Sequence, residues 1–117
     1  MPGDSMKIHK DLTPERWFKF SILEQLANVG TDIERAIQWR KREEIEDSKM
    51  AFERAMDLLE LTIADPKNQG ARLKELLIVR EALIDYFVGN NQYSSTDEAW
   101  QNYFYDFNYA AAIQRGR

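Results

Sequence analysis

Apolar residues recur at steps of three and four along most of this chain. Ile22, Leu26, Val29, Ile33 and Ala36/Ile37 form the first stripe, one face of an amphipathic helix. Upstream, Thr13-Pro14-Glu15 reads as a helix start. Threonine caps, proline suits the first helical position, and glutamate suits the positive end of the macrodipole. The stripe runs through Gly30 without losing phase. That predicts one helix over roughly 14–40, about 40 Å long at 1.5 Å per residue. A glycine inside a helix costs about 1 kcal/mol relative to alanine. The cost is offset if Ala27, Gly30 and Thr31 let another backbone approach closely. The competing reading ends the helix at Gly30 and restarts it at Thr31-Asp32.

Three further stripes follow. Phe52, Ala55/Met56, Leu59 and Ile63 predict a second helix, capped by Ser48 or begun earlier, since Ile45 is in phase. It ends at Asp65-Pro66, because the residue before a proline disfavours the helical region. Leu73, Leu76/Leu77, Leu83/Ile84 and Phe87 predict a third helix over about 70–88, stopped by Gly89-Asn90-Asn91. Ser95-Thr96-Asp97-Glu98 matches a capping box. It opens a fourth helix running to about 114, with Trp100, Tyr103/Phe104, Phe107 and Ala110/Ala111 in register. No window alternates with period two. The expected fold is all-α, an up-down antiparallel four-helix bundle with a long first helix. It occupies 13–117 as a single domain, behind a flexible arm over 1–12. Helix 1 would overhang its neighbours, with Trp17, Phe18 and Phe20 on the surplus end.

Composition narrows the chemistry. The 117 residues are 44% hydrophobic, a globular share, with no cysteine and one histidine. Disulfide scaffolds, thiolate metal sites, cysteine nucleophiles and histidine clusters within one chain are therefore excluded. The net charge is −4, which argues against a general nucleic-acid binder. The longest apolar runs, such as Leu76-Leu77-Ile78-Val79, are four residues long. A membrane span needs roughly 20. No signal-like apolar region follows the start, so a cytoplasmic location with no membrane association is expected.

Few residues carry chemistry. His9 lies in the leading arm, which removes both a di-metal carboxylate site with Glu-x-x-His pairs and a Ser-His-Asp triad. Glu43-x-x-Glu46 resembles half of the acidic pattern of helical magnesium-dependent nucleotide pyrophosphatases. The second half, Glu-x-x-Asp, is missing from helix 3, where Glu81 and Asp85 are four apart. Arg40-Lys41-Arg42 has a phosphate-binding composition, but Glu43, Glu44, Glu46 and Asp47 largely cancel its field beyond a Debye length of about 8 Å. Arg80 sits on the inward face of helix 3, either snorkelling or paired with a buried acid; Asp32, Glu34 and Asp57 are the conceivable partners.

The run Arg80-Glu81-Ala82-Leu83-Ile84-Asp85-Tyr86 resembles the HEPN class of helical nucleases and nucleotidyltransferase partners. In that class an arginine is followed, after four to six residues, by a catalytic histidine. Asp85 or Tyr86 stands in its place here, so the resemblance implies an inactive relative and no RNA cleavage. Gln25 through Ala36 and Arg72 through Leu76 are similar to segments of small bacterial helical proteins, a resemblance that brings no function with it.

The fourth helix is rich in rings: Trp100, Tyr103, Phe104, Tyr105, Phe107 and Tyr109. Tyr105 and Tyr109 lie off the core stripe, and tyrosine suits surfaces that are half dry and half wet. From Glu75 to Tyr109 there are six acids against one base, Arg80, which disfavours nucleic acid. The expected role is a non-enzymatic interaction module that self-associates, as a dimer, or binds another protein. Its candidate interface is Trp17, Phe18, Phe20, Tyr105 and Tyr109, and no catalytic residue, metal or cofactor is assigned. The alternative is a small ligand-binding or magnesium-dependent nucleotide-handling enzyme anchored by Arg80, Asp32, Asp57 and Asp85, or a HEPN-like nucleotidyltransferase partner.

Overall fold

The computed structural model describes residues 12–116. The expected arm, and His9 with it, lies outside the described residues except for Leu12, which packs against the core. Among the described residues the chain is all-helical and strand-free. Its helices are α1 (Pro14–Phe18), α2 (Ile22–Lys41), α3 (Ile45–Ala64), α4 (Ala71–Phe87) and α5 (Asp97–Arg115). No helix among the described residues is long and apolar enough to cross a membrane.

The continuous helix expected over 14–40 does not form. Thr13 does cap a helix, its hydroxyl accepting from the Arg16 amide at 3.1 Å. That helix lasts five residues. Ser21 then starts another with a reciprocal capping box. Its hydroxyl accepts from the Glu24 amide at 3.2 Å, and its own amide donates to Glu24 Oε1 at 3.1 Å. The break has a tertiary cause. Trp17 enters the core, 2% exposed, and its Nε1 donates to Thr62 Oγ1 at 3.0 Å. Gln25 Nε2 donates at 3.0 Å to the Trp17 carbonyl, which also accepts from the Phe20 amide at 3.1 Å. The overhang expected for the first helix is therefore absent.

α2 is the shared wall of the core, facing α3 on one side and α5 on the other, while α4 packs on α3. α2 passes unbroken through Gly30, as its phase predicts. A Cβ there would lie 2.6 Å from Phe104 Cβ, so glycine is what lets α5 seat its ring against α2. α2 turns into α3 through Arg42–Glu44, with Glu43 in the left-handed region at φ 62. Ser48 is no cap. It lies inside α3, and its buried hydroxyl donates to the Ala36 carbonyl at 2.8 Å.

α3 stops at Ala64, and Asp65, extended before Pro66, begins a buried polar knot. Asp65 accepts from Gln25 Nε2 at 2.8 Å and from Lys67, through the backbone amide at 3.0 Å and through Nζ. Asn68 Nδ2 donates to Gln25 Oε1 and to the Thr62 carbonyl. Burial pushes the Asp65 carboxyl up, but the Lys67 and Gln25 hydrogen bonds outweigh it and hold the group below the usual carboxylate range.

α4 matches its predicted span within a residue at each end and buries Leu76, Val79 and Leu83. Their neighbours Leu77, Ile84 and Val88 are exposed. Asp85 then holds the following loop, accepting from the Gln92 and Tyr93 amides at 2.8 and 3.1 Å. The cap of α5 falls on Thr96 rather than Ser95: Thr96 Oγ1 accepts from the Ala99 amide at 3.0 Å.

Candidate functional site

α5 has two faces of different fate. Trp100, Phe104 and Ala111, at helical spacing, are buried against the rest of the core, with Tyr103 and Phe107 half-buried beside them. On the far side Tyr105 (63% exposed), Tyr109 (60%) and Ile113 (42%) step by four and meet solvent. The two tyrosine rings stack on each other at 6.4 Å between centroids and 17° between planes.

Between α2 and α5 lies a cleft of about 320 Å³. Gly30, Ile33 and Glu34 line it from α2, and Trp100, Gln101 and Tyr105 from α5, with Asn108 further along. Glu34 is its one carboxylate. It accepts from Gln38 Nε2 at 2.7 Å and from Gln101 Nε2 at 3.4 Å, and no cation reaches it among the described residues. Trp100 Nε1 is buried without a hydrogen-bond partner among the described residues. One carboxylate flanked by indole, phenol and amides suits a cationic guest, which aromatic rings also attract.

A polar clasp ties α4 to α5. Tyr86 donates to Asp97 Oδ1 at 2.6 Å, and Arg40 Nη2 bonds the same oxygen at 3.0 Å. The Arg40 guanidinium also lies 4.7 and 4.6 Å from the ring centroids of Tyr86 and Phe87. Lower down, Tyr103 donates to Glu75 at 2.8 Å. Burial, then the bonded carboxylate, raises both phenols above their ordinary range. Arg40 is thus committed inside the fold, and Arg42 lies over the Trp39 ring at 5.5 Å.

The four candidate anchors occupy separate settings. Arg80 Nη1 bonds both oxygens of Glu60 at 3.1 Å in an open position, rather than Asp32, Glu34 or Asp57. Asp32, 5% exposed, pairs with Arg35 at 3.1 Å and Arg54 at 3.6 Å. Asp57 keeps one buried oxygen without a partner among the described residues. Asp85 is spent on its loop. No hydrogen bond or ion pair joins any two of the four among the described residues. Nor do three or more acidic or histidine groups converge as a metal site there. Glu43 lies in a turn and Glu46 in the first turn of α3, so their spacing does not give one helical face. Where the HEPN class carries histidine, Asp85 and Tyr86 serve the α4–α5 junction.

The five interface candidates also divide. Trp17 is core, and Phe18 is half-buried against it. Phe20 is 38% exposed and meets the Trp17 ring edge-on at 5.5 Å. Only Tyr105 and Tyr109 present a stacked, open pair. Neither the place of Glu34 beside Gln101 nor the Arg40–Asp97–Tyr86 clasp is legible in the sequence. Both depend on contacts 57 or more residues apart along the chain. Arg40 and Asp97 carry no local signal of pairing, whereas the flat spot at Gly30 was visible as a small residue in an unbroken stripe. No protein-family model, curated protein or solved structure matches this chain.

Proposed function

We propose that this protein is a non-enzymatic helical module that associates with a second copy of itself, its four long helices arranged as an up-down antiparallel bundle. The observation that carries the reading is the Tyr105–Tyr109–Ile113 face of α5, exposed on a helix whose opposite face already fills the core. Tyrosine is enriched at interface hot spots because its ring buries much area while its hydroxyl stays hydrated. The exposed Leu77 and Ile84 of α4, with Val88 just past its end, add apolar surface on the same molecule. Sedimentation velocity at rising concentration tests the reading. A dimer at tens of micromolar supports it, and Tyr105→Ser with Tyr109→Ser shifts the population toward monomer. A monomer at every concentration overturns it.

One observation favours a ligand-binding alternative: the cleft that holds Glu34 and the unpartnered Trp100 Nε1. A thermal-shift screen with organic amines, nucleotides and divalent metals separates the two. A ligand that binds only the folded state raises the melting temperature.

A further inference from the structure

The outer face of α5 has a period. Glu98, Asn102, Tyr105, Tyr109, Ala112 and Gly116 are separated by four, three, four, three and four residues, and all six are exposed. An average step of about 3.5 is that of a coiled-coil seam. Large side chains occupy the middle of the seam and small ones its C-terminal end. Beside it runs an edge row with a seven-residue step: Gln101, Asn108 and Arg115. The first two line the cleft that contains Glu34. Glu34 has no cation and Arg115 has no anion among the described residues.

We propose that two copies pair antiparallel across this face of α5, the seam of each against the edge row of the other, about a two-fold axis between Asn108 and Tyr109, each sending its Arg115 into the other's cleft to pair with Glu34. The inference rests on the self-association reading and names its contact. The axis position follows from size: it sets Tyr105 opposite the partner's Ala112, ring against methyl. It also sets Asn102, next to Gln101 at the cleft rim, opposite the partner's Arg115. A parallel pairing would stack tyrosine on tyrosine, Glu98 on Glu98 and Arg115 on Arg115, and would leave both clefts without a cation. Charge therefore selects the antiparallel arrangement. The guanidinium enters a site with one carboxylate and aromatic walls, where both attractions act.

Charge reversal tests it by sedimentation velocity, with circular dichroism confirming that each variant is helical. Arg115→Glu and Glu34→Arg should each weaken self-association by about tenfold or more, because each sets like charges together twice per dimer. Mixing the two single variants should restore a dimer of wild-type strength, since both contacts are then Glu with Arg again. The chain has no cysteine, so Asn108→Cys, beside the axis, should form an interchain disulfide on oxidation. A wild-type dimer indifferent to both reversals overturns the inference and moves the contact to another face, such as the Leu77–Ile84–Val88 side of α4. The self-association reading survives that result. A mixture that stays monomeric, or Asn108→Cys that does not cross-link, likewise overturns the pairing. A wild-type chain that is monomeric throughout removes the parent reading itself.

Discussion

At the residue scale, Gly30 and Asp65 show how single positions hold elements in place. Alanine at position 30 would gain about 1 kcal/mol of helix propensity. Its methyl, however, would collide with Phe104 at Cβ and Cγ, atoms that move only if α5 moves. Overpacking of this kind costs about 1–3 kcal/mol. Gly30→Ala should therefore destabilise the protein by up to roughly 2 kcal/mol net, seen as a drop in melting temperature of up to about 10 °C by calorimetry. Asp65 makes a pH prediction. Its folded-state carboxyl titrates below the ordinary 3.8, so in the acid range the unfolded chain binds the proton first. The stability it contributes is full above 3.8 and is lost as pH falls through the lower folded value. Asp65→Asn should cost about 1–3 kcal/mol at neutral pH, by removing a charged acceptor from a buried knot. Urea unfolding at pH 7 and pH 3 should show the gap to wild type narrowing in acid; an unchanged gap would refute the assignment.

At the element scale, the clasp between α4 and α5 depends on neutral phenols. Tyr86 and Tyr103 have raised values through burial and their carboxylate partners, and Tyr93 through Glu81. Their contribution is intact below the ordinary value of 10.0 and fades as pH rises above it. Absorbance titration of the five tyrosines should show part of the signal appearing well above pH 10, together with loss of helix. Tyr103→Phe should remove one late step. How far such elements can be read from the sequence depends on what each one touches. The stripe from Ile22 to Ile37 was legible, since phase is local, and so were the ends at Asp65-Pro66 and Gly89. The restart at Ser21 was legible too, as Ser21-x-x-Glu24, yet the continuous phase and the strong start at Thr13-Pro14 masked it. Its cause was hidden, because Trp17 meets Thr62 across 45 residues. In α4 the doublets Leu76/Leu77 and Leu83/Ile84 left two faces equally apolar. The packing on α3 decides which is buried, so the outward set could not be named in advance. The same limit applies to the cleft: Glu34 and Gln101 are 67 residues apart.

At the scale of the whole molecule, the arrangement is unequal. α2 and α3 are joined by the short turn at Arg42–Glu44 and share the most extensive of the helix contacts, while α5 reaches the other side of α2 from far along the chain. Closing a long loop carries an entropic cost that a short hairpin avoids. This predicts an order of assembly in which the α2–α3 hairpin belongs to the folding nucleus and α5 docks after the barrier is crossed. Gly30→Ala should then leave the refolding rate nearly unchanged and accelerate unfolding, which stopped-flow chevrons would register as a φ-value near zero. Ala55→Gly, inside the hairpin, should instead slow refolding. The bare patch on α2 that receives Phe104 thus acts as a late lock, governing how long the native state lasts more than how fast it is reached.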